Sequence, residues 1–152
     1  MTRLIVAVDH PSLHHLIAPF VNDLRCESRR FGRTDAANPK PFPSLVRRVT
    51  DSGRARFGVI GPTGLIGMAS LAVDGEVSMA ISAPHRGNGH GTALLNHVID
   101  QADRAMFARV SMSSSRRSQP VERLGQRLGW TTLDQGRGHI DLILDLPRQR
   151  IA

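Results

Sequence analysis

The stretch from Glu76 to Thr92, EVSMAISAPHRGNGHGT, decides the fold. An apolar strand is followed there by a turn with glycines at 87, 89 and 91, and then by the helical pattern ALLNHVIDQADRA. Glycine allows backbone conformations that bring N–H groups close to an anion, and the helix contributes the positive end of its dipole. The stretch therefore predicts a pocket for a phosphate-bearing ligand, and we expect a diphosphate.

Two common nucleotide-binding motifs do not match this turn. A P-loop requires Lys-Ser or Lys-Thr after its last glycine, but Thr92 follows Gly91 here, and the only lysine, Lys40, lies far upstream. A dinucleotide-binding fold places an acidic residue about 20 positions after the turn, where this chain has Ser111 and Met112. Neither nucleotide-binding fold is therefore expected.

A third motif does match. The pattern Arg86-x-x-Gly89-x-Gly91 resembles the Arg/Gln-x-x-Gly-x-Gly/Ala signature of the GCN5-related N-acetyltransferase (GNAT) family, whose members bind acetyl coenzyme A. Downstream, VERLGQRLGW resembles the late helix of that family, which ends in Leu-Gly-Phe, with Trp130 in the aromatic position. These motifs lie between residues 76 and 130, whereas the first fifty residues match only in the order of their predicted elements.

The resemblance implies an α/β fold of the GNAT type. In that fold a central mixed, mostly antiparallel sheet has helices on both faces, and its parallel strands 4 and 5 splay apart. A length of 152 residues suits one domain, because a chain of this size buries roughly 70% of its unfolded surface. We therefore expect a single N-acetyltransferase domain over residues 1–152.

Hydrophobic patterning gives the same order of elements. It predicts strands at residues 4–10, 55–61, 65–73, 76–82, 108–114, 131–135 and 139–146, and helices from Pro11, over 44–50, 93–105 and 119–128. Asp74-Gly75 is a strong hairpin signal, and Pro19 is expected to bend the first helix. The crossover through 93–105 is long enough to make strands 76–82 and 108–114 parallel.

Composition limits the cellular setting. No run approaches the roughly 18 apolar residues of a membrane helix, and the N-terminus lacks the apolar stretch of a signal peptide, so we expect a cytoplasmic protein without a membrane partner. Cys26 is alone, which excludes an internal disulfide. The net charge of +7 favours anionic partners. Coenzyme A, with its diphosphate and 3′-phosphate, accounts for part of that charge, and nucleic acid is a less favoured partner.

The resemblance also assigns the coenzyme contacts, which are mainly main-chain groups. Those of Met79, Ala80 and Ile81 would bind the pantetheine arm and the thioester. The diphosphate would lie on the turn formed by Arg86, Gly87, Asn88, Gly89, His90, Gly91 and Thr92. The thioester carbonyl would be polarised by a strand N–H near Ile81.

Acetyl transfer to an amine requires a neutral nucleophile. Amines have reference pKa values of about 8 for an α-amine and about 10.4 for lysine, so a base is useful near neutral pH. Glu76 is the candidate, because it begins the strand that carries the thioester contacts and shares a strand face with Ser78, Ala80 and Ser82. A glutamate beside a turn can equally be a solvated strand end, and the sequence leaves both interpretations open.

A proton donor for the departing thiolate is less clear. Many relatives carry a tyrosine in the late helix, but this chain has none, and Gly125 occupies that position. Ser118 is the catalytic candidate, because it, or Ser115, could orient a water near the thiolate. Ser118 could instead cap the helix that begins at Gln119, which leaves a water as the proton donor.

The seven histidines do not indicate a metal site. They are His10, His14, His15, His85, His90, His97 and His139, and no cysteine or carboxylate accompanies them at ligand spacing. His85 and His90 flank the predicted anion pocket and are expected to line it. We therefore expect acetyl coenzyme A as cosubstrate and no metal.

The sequence thus favours an N-acetyltransferase that moves an acetyl group from acetyl coenzyme A to a primary amine. The acceptor is left open among a small amine, a peptide N-terminus and a protein lysine. Two alternatives remain: a module that binds acyl coenzyme A with weak or no catalysis, favoured by the missing tyrosine, and a toxin that acetylates charged tRNA. Many relatives form homodimers, and the oligomeric state is left open.

Overall fold

The computed structural model describes residues 4–9, 11–31, 47, 49, 55–114, 123, 126–136 and 139–146. The strands are β1 (Leu4–Ala7), β2 (Ala55–Gly61), β3 (Gly64–Leu71), β4 (Val77–Ile81), β5 (Arg109–Ser114), β6 (Thr131–Gly136) and β7 (His139–Asp145). The α-helices with defined bounds are α1 (Ile17–Phe31) and α2 (His90–Arg104). Residues 123 and 126–128 are helical, and we call them the late helix. No helix in this described part of the chain is long and apolar enough to cross a membrane.

The strands form two antiparallel groups. The first has the order β1-β2-β3-β4, and the second has the order β5-β7-β6. The predicted Asp74-Gly75 turn joins β3 to β4, where the N–H of Gly75 donates to the carbonyl of Ala72 at 3.0 Å. The hairpin signals in the sequence therefore predicted the pairings of β2 with β3, β3 with β4 and β6 with β7 correctly, whereas the pairings of β1 with β2 and β5 with β7 were not predicted from them.

One parallel bridge connects the two groups in the described residues. It pairs Glu76, just before β4, with Ser111, the third residue of β5, where the N–H of Ser111 donates to the carbonyl of Gly75 at 3.0 Å. Beyond this bridge, β4 is hydrogen-bonded only to β3, and β5 only to β7. The prediction of splayed parallel strands is confirmed, because β4 and β5 do not pair beyond this bridge in the described residues.

Helices cover both faces of the sheet, as predicted. Leu94, Leu95 and Val98 of α2 are fully buried and pack with Val77 of β4 in the larger apolar cluster. On the opposite face, Phe20 and Leu24 of α1 pack with Met68 and Ala80 in the smaller cluster. Alternate residues of β4 therefore enter different cores, so that each face of β4 has its own packed helix.

The first helical segment differs from the prediction. Its opening turns form a 3-10 helix, Pro11–Leu16, and the α-helix begins at Ile17. Pro19 therefore lies in the first α-helical turn, where its missing N–H has no intrahelical acceptor to lose. The helix therefore changes type before Ile17, and the bend expected at Pro19 stays a prediction.

The close approach of β5 to the β3–β4 turn gives a stability prediction. Replacing Gly75 by alanine should destabilise the fold by roughly 2 kcal/mol more than the same change at Gly136. Both glycines have positive φ, +91° and +81°, so both substitutions introduce similar backbone strain. An added Cβ at Gly75 would overlap the carbonyl oxygen of Arg109, whereas nothing lies within 4 Å of a Cβ at Gly136.

Urea unfolding of the two variants measures this difference directly. Equal losses of unfolding free energy at Gly75 and Gly136 would show that the contact between the turn and β5 is not tight.

Candidate functional site

The edge of β4 that faces β5 is open beyond the single bridge. The N–H of Ser82 donates to the carbonyl of Ile66 at 2.8 Å, and the carbonyl of Glu76 accepts from the N–H of Ala72 at 2.9 Å. Residues with even numbers in β4 therefore direct their main-chain groups toward β3. Because these groups alternate along a strand, those of Met79 and Ile81 point into the gap.

Ala80 does not share this arrangement. It lies opposite Met68 in the β3–β4 register, and the alternation directs its N–H and C=O toward β3. The expectation that Ala80 offers main-chain groups to a ligand in the gap is therefore corrected, because those groups already belong to the sheet. Its side chain is buried in the cluster that contains α1.

The glycine turn forms an exposed cradle at the wide end of the gap. Gly87 and Gly89 have φ values of +80° and +82°, conformations that side chains strongly disfavour. Gly89 is the N-cap of α2 and supplies no side-chain capping bond. The first N–H groups of an α-helix have no intrahelical acceptor, so the start of α2 presents donors and a positive dipole end to an anion.

Arg86 ties this turn to the end of β4. Its Nε donates to the carbonyl oxygen of Ile81 at 3.0 Å. Next to it, Asn88 is exposed, and its Nδ2 makes a long contact of 3.5 Å with the carbonyl of His85. Arg86 therefore fixes the position of the turn relative to the open edge, while the exposed backbone around Asn88 forms the outer lip.

A cavity of about 520 Å³ joins the open edge to the turn. Its lining brings together most of the predicted coenzyme contacts with two residues from the late helix: Met79, Ile81, His85, Arg86, Gly87, Gly89, His90, Gly91, Thr92, Arg123 and Arg127. The lining thus combines apolar side chains of β4, a turn rich in N–H donors and the guanidinium groups of Arg86, Arg123 and Arg127. It contains no carboxylate among these lining residues.

His85 and His90 lie at the rim of the cavity, as expected from their positions beside the turn. Their ring centroids are 6.3 Å apart, with one ring edge-on to the other. Within the described residues, no three metal-ligating side chains come together. Both imidazoles belong to residues that line the cavity at the glycine turn.

Glu76 lies at the closed end of the gap. It is half-buried, and its N–H donates to Oδ1 of Asp74 at 3.0 Å. Strand alternation places its side chain on the α1 face of the sheet, together with that of Ala80. Met79 and Ile81 line the cavity on the other face, so the candidate base and the cavity flank the gap from opposite sides.

A buried polar row crosses the α1 face beside Glu76. Arg56 pairs with Ser70, and Ser70 pairs with Ser78, in the register of β2, β3 and β4. All three are buried. The Nε of Arg56 lies 2.7 Å from Oδ1 of Asp9, so its charge is balanced despite burial. This face is polar next to Glu76 and apolar beyond it.

Two parts of the predicted site need separate mention. The catalytic candidate Ser118 lies outside the described residues, as do Ser115 and Gly125. The late-helix arginines Arg123 and Arg127 were not predicted as part of the site. Their spacing of four positions was a signal for two guanidinium groups on one helix face, but the sequence does not show which face meets the cavity.

Comparisons with known proteins agree with this architecture. Among solved structures, the GNAT domain of S. lividans PAT matches with a TM-score of 0.71 and 19% identity, covering 96% of this chain and 92% of that chain. The PaiA N-acetyltransferase of Thermoplasma acidophilum, in complex with coenzyme A, gives 0.69 and 11%, covering 95% and 99%. A phosphinothricin acetyltransferase of Sinorhizobium meliloti, in complex with acetyl coenzyme A, gives 0.63 and 16%, covering 96% and 89%.

These identities are low, so the structural likeness establishes the fold. No curated protein matches the chain in sequence. A family model does match, and it covers residues 19–130, which include β2 to β5, both α-helices almost in full and the late helix. On that match, the chain belongs to the acetyltransferase (GNAT) family.

Proposed function

We propose that this protein transfers an acetyl group from acetyl coenzyme A to a primary amine. The observation that carries the proposal is the open edge of β4, because Met79 and Ile81 direct main-chain groups into a gap that ends at the glycine turn. An extended amide-containing arm can add to such an edge as a further strand would. The pantetheine arm of coenzyme A has this chemistry.

The residues around the cavity suit the rest of the coenzyme. Positive φ at Gly87 and Gly89 leaves the turn without side chains where a diphosphate would approach. The start of α2 and Arg86 supply donors and positive charge beside it. Two GNAT structures with the same fold were determined with acetyl coenzyme A or coenzyme A bound, which supports the same cosubstrate here.

The gap would let the two substrates meet from opposite faces of the sheet. Acetyl coenzyme A would supply the acetyl group as a thioester held along the β4 edge. The acceptor amine would approach from the α1 face at the half-buried Glu76, beneath which the buried polar row of Arg56, Ser70 and Ser78 lies. This separation brings the nucleophile to the thioester without displacing the coenzyme.

Glu76 would serve as the base in this arrangement. Its carboxylate would take the proton that the amine loses when nitrogen bonds to the acetyl carbon, directly or through a water. The N–H of Ile81 or Met79 would stabilise the negative charge on the carbonyl oxygen. The thiolate released when the carbon–sulfur bond breaks would take a proton from water, because the chain has no tyrosine.

Binding without turnover is the second candidate function. The absence of tyrosine from the whole sequence favours it, because the usual acid of the family is then missing. The coenzyme contacts are main-chain groups and do not depend on that residue, so the same cavity serves either function.

A binding and turnover experiment separates the two candidates. Acetyl coenzyme A is titrated calorimetrically into the protein, and thiol release is then followed over a panel of small amines, peptide N-termini and lysine peptides. We expect heat of binding and thiol release with at least one amine class. Binding with no release on any amine would favour the binding module, and no binding would remove the proposed function altogether.

The role of Glu76 gives a more specific prediction. Glu76→Gln should lower kcat by about 100-fold, within the usual range for loss of a general base, while the Kd for acetyl coenzyme A stays unchanged. The loss should shrink as pH rises through the pKa of the amine, because the neutral amine then forms without help. Steady-state kinetics from pH 6 to 10 with calorimetry measures both effects.

Asp100→Asn is the matched control for this variant. Asp100 is an exposed carboxylate on α2, paired with Arg104, and it lies outside the cavity lining, so its replacement should leave kcat unchanged. A Glu76→Gln enzyme with wild-type kcat at every pH would exclude Glu76 as the base.

A further inference from the structure

Two guanidinium groups of the late helix line the same cavity as the glycine turn. Arg123 and Arg127 both line it, and their spacing of four positions places side chains about 6 Å apart at Cβ on one helix face. Both are exposed. In the described part of the chain, no ion pair neutralises either group.

The diphosphate does not require this second group of charges. The turn, the start of α2 and Arg86 already offer the diphosphate N–H donors and a positive charge. With Arg123 and Arg127, the cavity has three guanidinium groups and no carboxylate in its lining. The part of the lining formed by Arg123 and Arg127 is therefore suited to a further anionic group on the same ligand.

The spacing of the pair indicates which kind of anion. A guanidinium group binds phosphate oxygens through two parallel N–H bonds. A phosphate monoester carries up to two negative charges and three terminal oxygens, so it can accept from two such groups at once. Coenzyme A has one phosphate monoester, on the 3′-oxygen of its ribose. The diphosphate is attached to the 5′-oxygen of the same ribose.

We propose that Arg123 and Arg127 bind the 3′-phosphate of coenzyme A, so that the protein selects coenzyme A over 3′-dephospho-coenzyme A. This inference rests on the proposed function, because it assumes that the coenzyme occupies the cavity. It adds a subsite that is independent of the glycine turn. The bound ligand would then have its diphosphate at the glycine turn and its 3′-phosphate at the late helix.

Calorimetric titration with the two ligands tests the subsite. Wild-type protein should bind coenzyme A about tenfold more tightly than 3′-dephospho-coenzyme A, a modest ratio because exposed ion pairs are weak. In the double variant Arg123→Gln with Arg127→Gln, the affinity for coenzyme A should fall until the two ligands bind equally. The affinity for 3′-dephospho-coenzyme A should stay within about twofold, because that ligand lacks the group that the pair binds.

A second double variant controls for lost charge. Arg104→Gln with Arg109→Gln also removes two exposed arginines, each paired with a surface carboxylate and outside the cavity lining. It should keep the wild-type preference for coenzyme A. Thermal unfolding of every variant checks that the fold is intact, and glutamine has nearly the helix propensity of arginine.

Three results would overturn the subsite. Equal binding of both ligands by wild-type protein would show that the 3′-phosphate is not bound. An equal loss of affinity for both ligands in the double variant Arg123→Gln with Arg127→Gln would assign the arginines to the diphosphate. A loss of the preference for coenzyme A in the control variant would point to net charge alone.

The same titrations separate the subsite from the proposed function. Failure of wild-type protein to bind either ligand would overturn both, whereas tight but unselective binding would overturn the subsite and leave the proposed function standing.

Discussion

The site depends on one constraint, which is that Glu76, just before β4, pairs with Ser111 of β5, and the two strands pair nowhere beyond in the described chain. The hydrogen bond from the N–H of Ser111 to the carbonyl of Gly75 closes the narrow end of the gap. Gly75 permits this approach because it has no Cβ to meet the carbonyl of Arg109. Beyond this point the edge of β4 is left without a strand partner, and the cavity along it is lined by residues of the glycine turn and the late helix.

Each strand that borders the gap is held in place by other elements, on its second edge and on its faces. β4 pairs with β3, and β5 pairs with β7, while α2 and α1 pack on opposite faces of β4 in separate cores. Main-chain groups on an open strand edge still favour a hydrogen-bonding partner. A ligand with amides along an extended arm can supply that partner, so binding uses the same interaction that builds the sheet.

Much of the fold, and the position of the glycine turn in the candidate site, could be predicted from residue patterns. Alternating apolar residues and the Asp74-Gly75 turn gave the strands, and the glycines after β4 gave the cradle, because each depends on local backbone preferences. The orientation of the main chain at Ala80 could not be predicted, since it depends on the register with β3 rather than on side-chain type. Arg56 is buried through an ion pair with Asp9, a residue distant in sequence, and Arg123 and Arg127 reach the cavity only through helix packing.

In the proposed function, the open edge of β4 binds acetyl coenzyme A through main-chain groups. Amide hydrogen exchange, followed residue by residue by NMR with and without acetyl coenzyme A, measures this most directly. The N–H groups of Met79 and Ile81 should become protected on binding, while those of Ser78 and Ala80, already directed toward β3, should change little. Unchanged exchange at Met79 and Ile81 under saturating acetyl coenzyme A would contradict the claim.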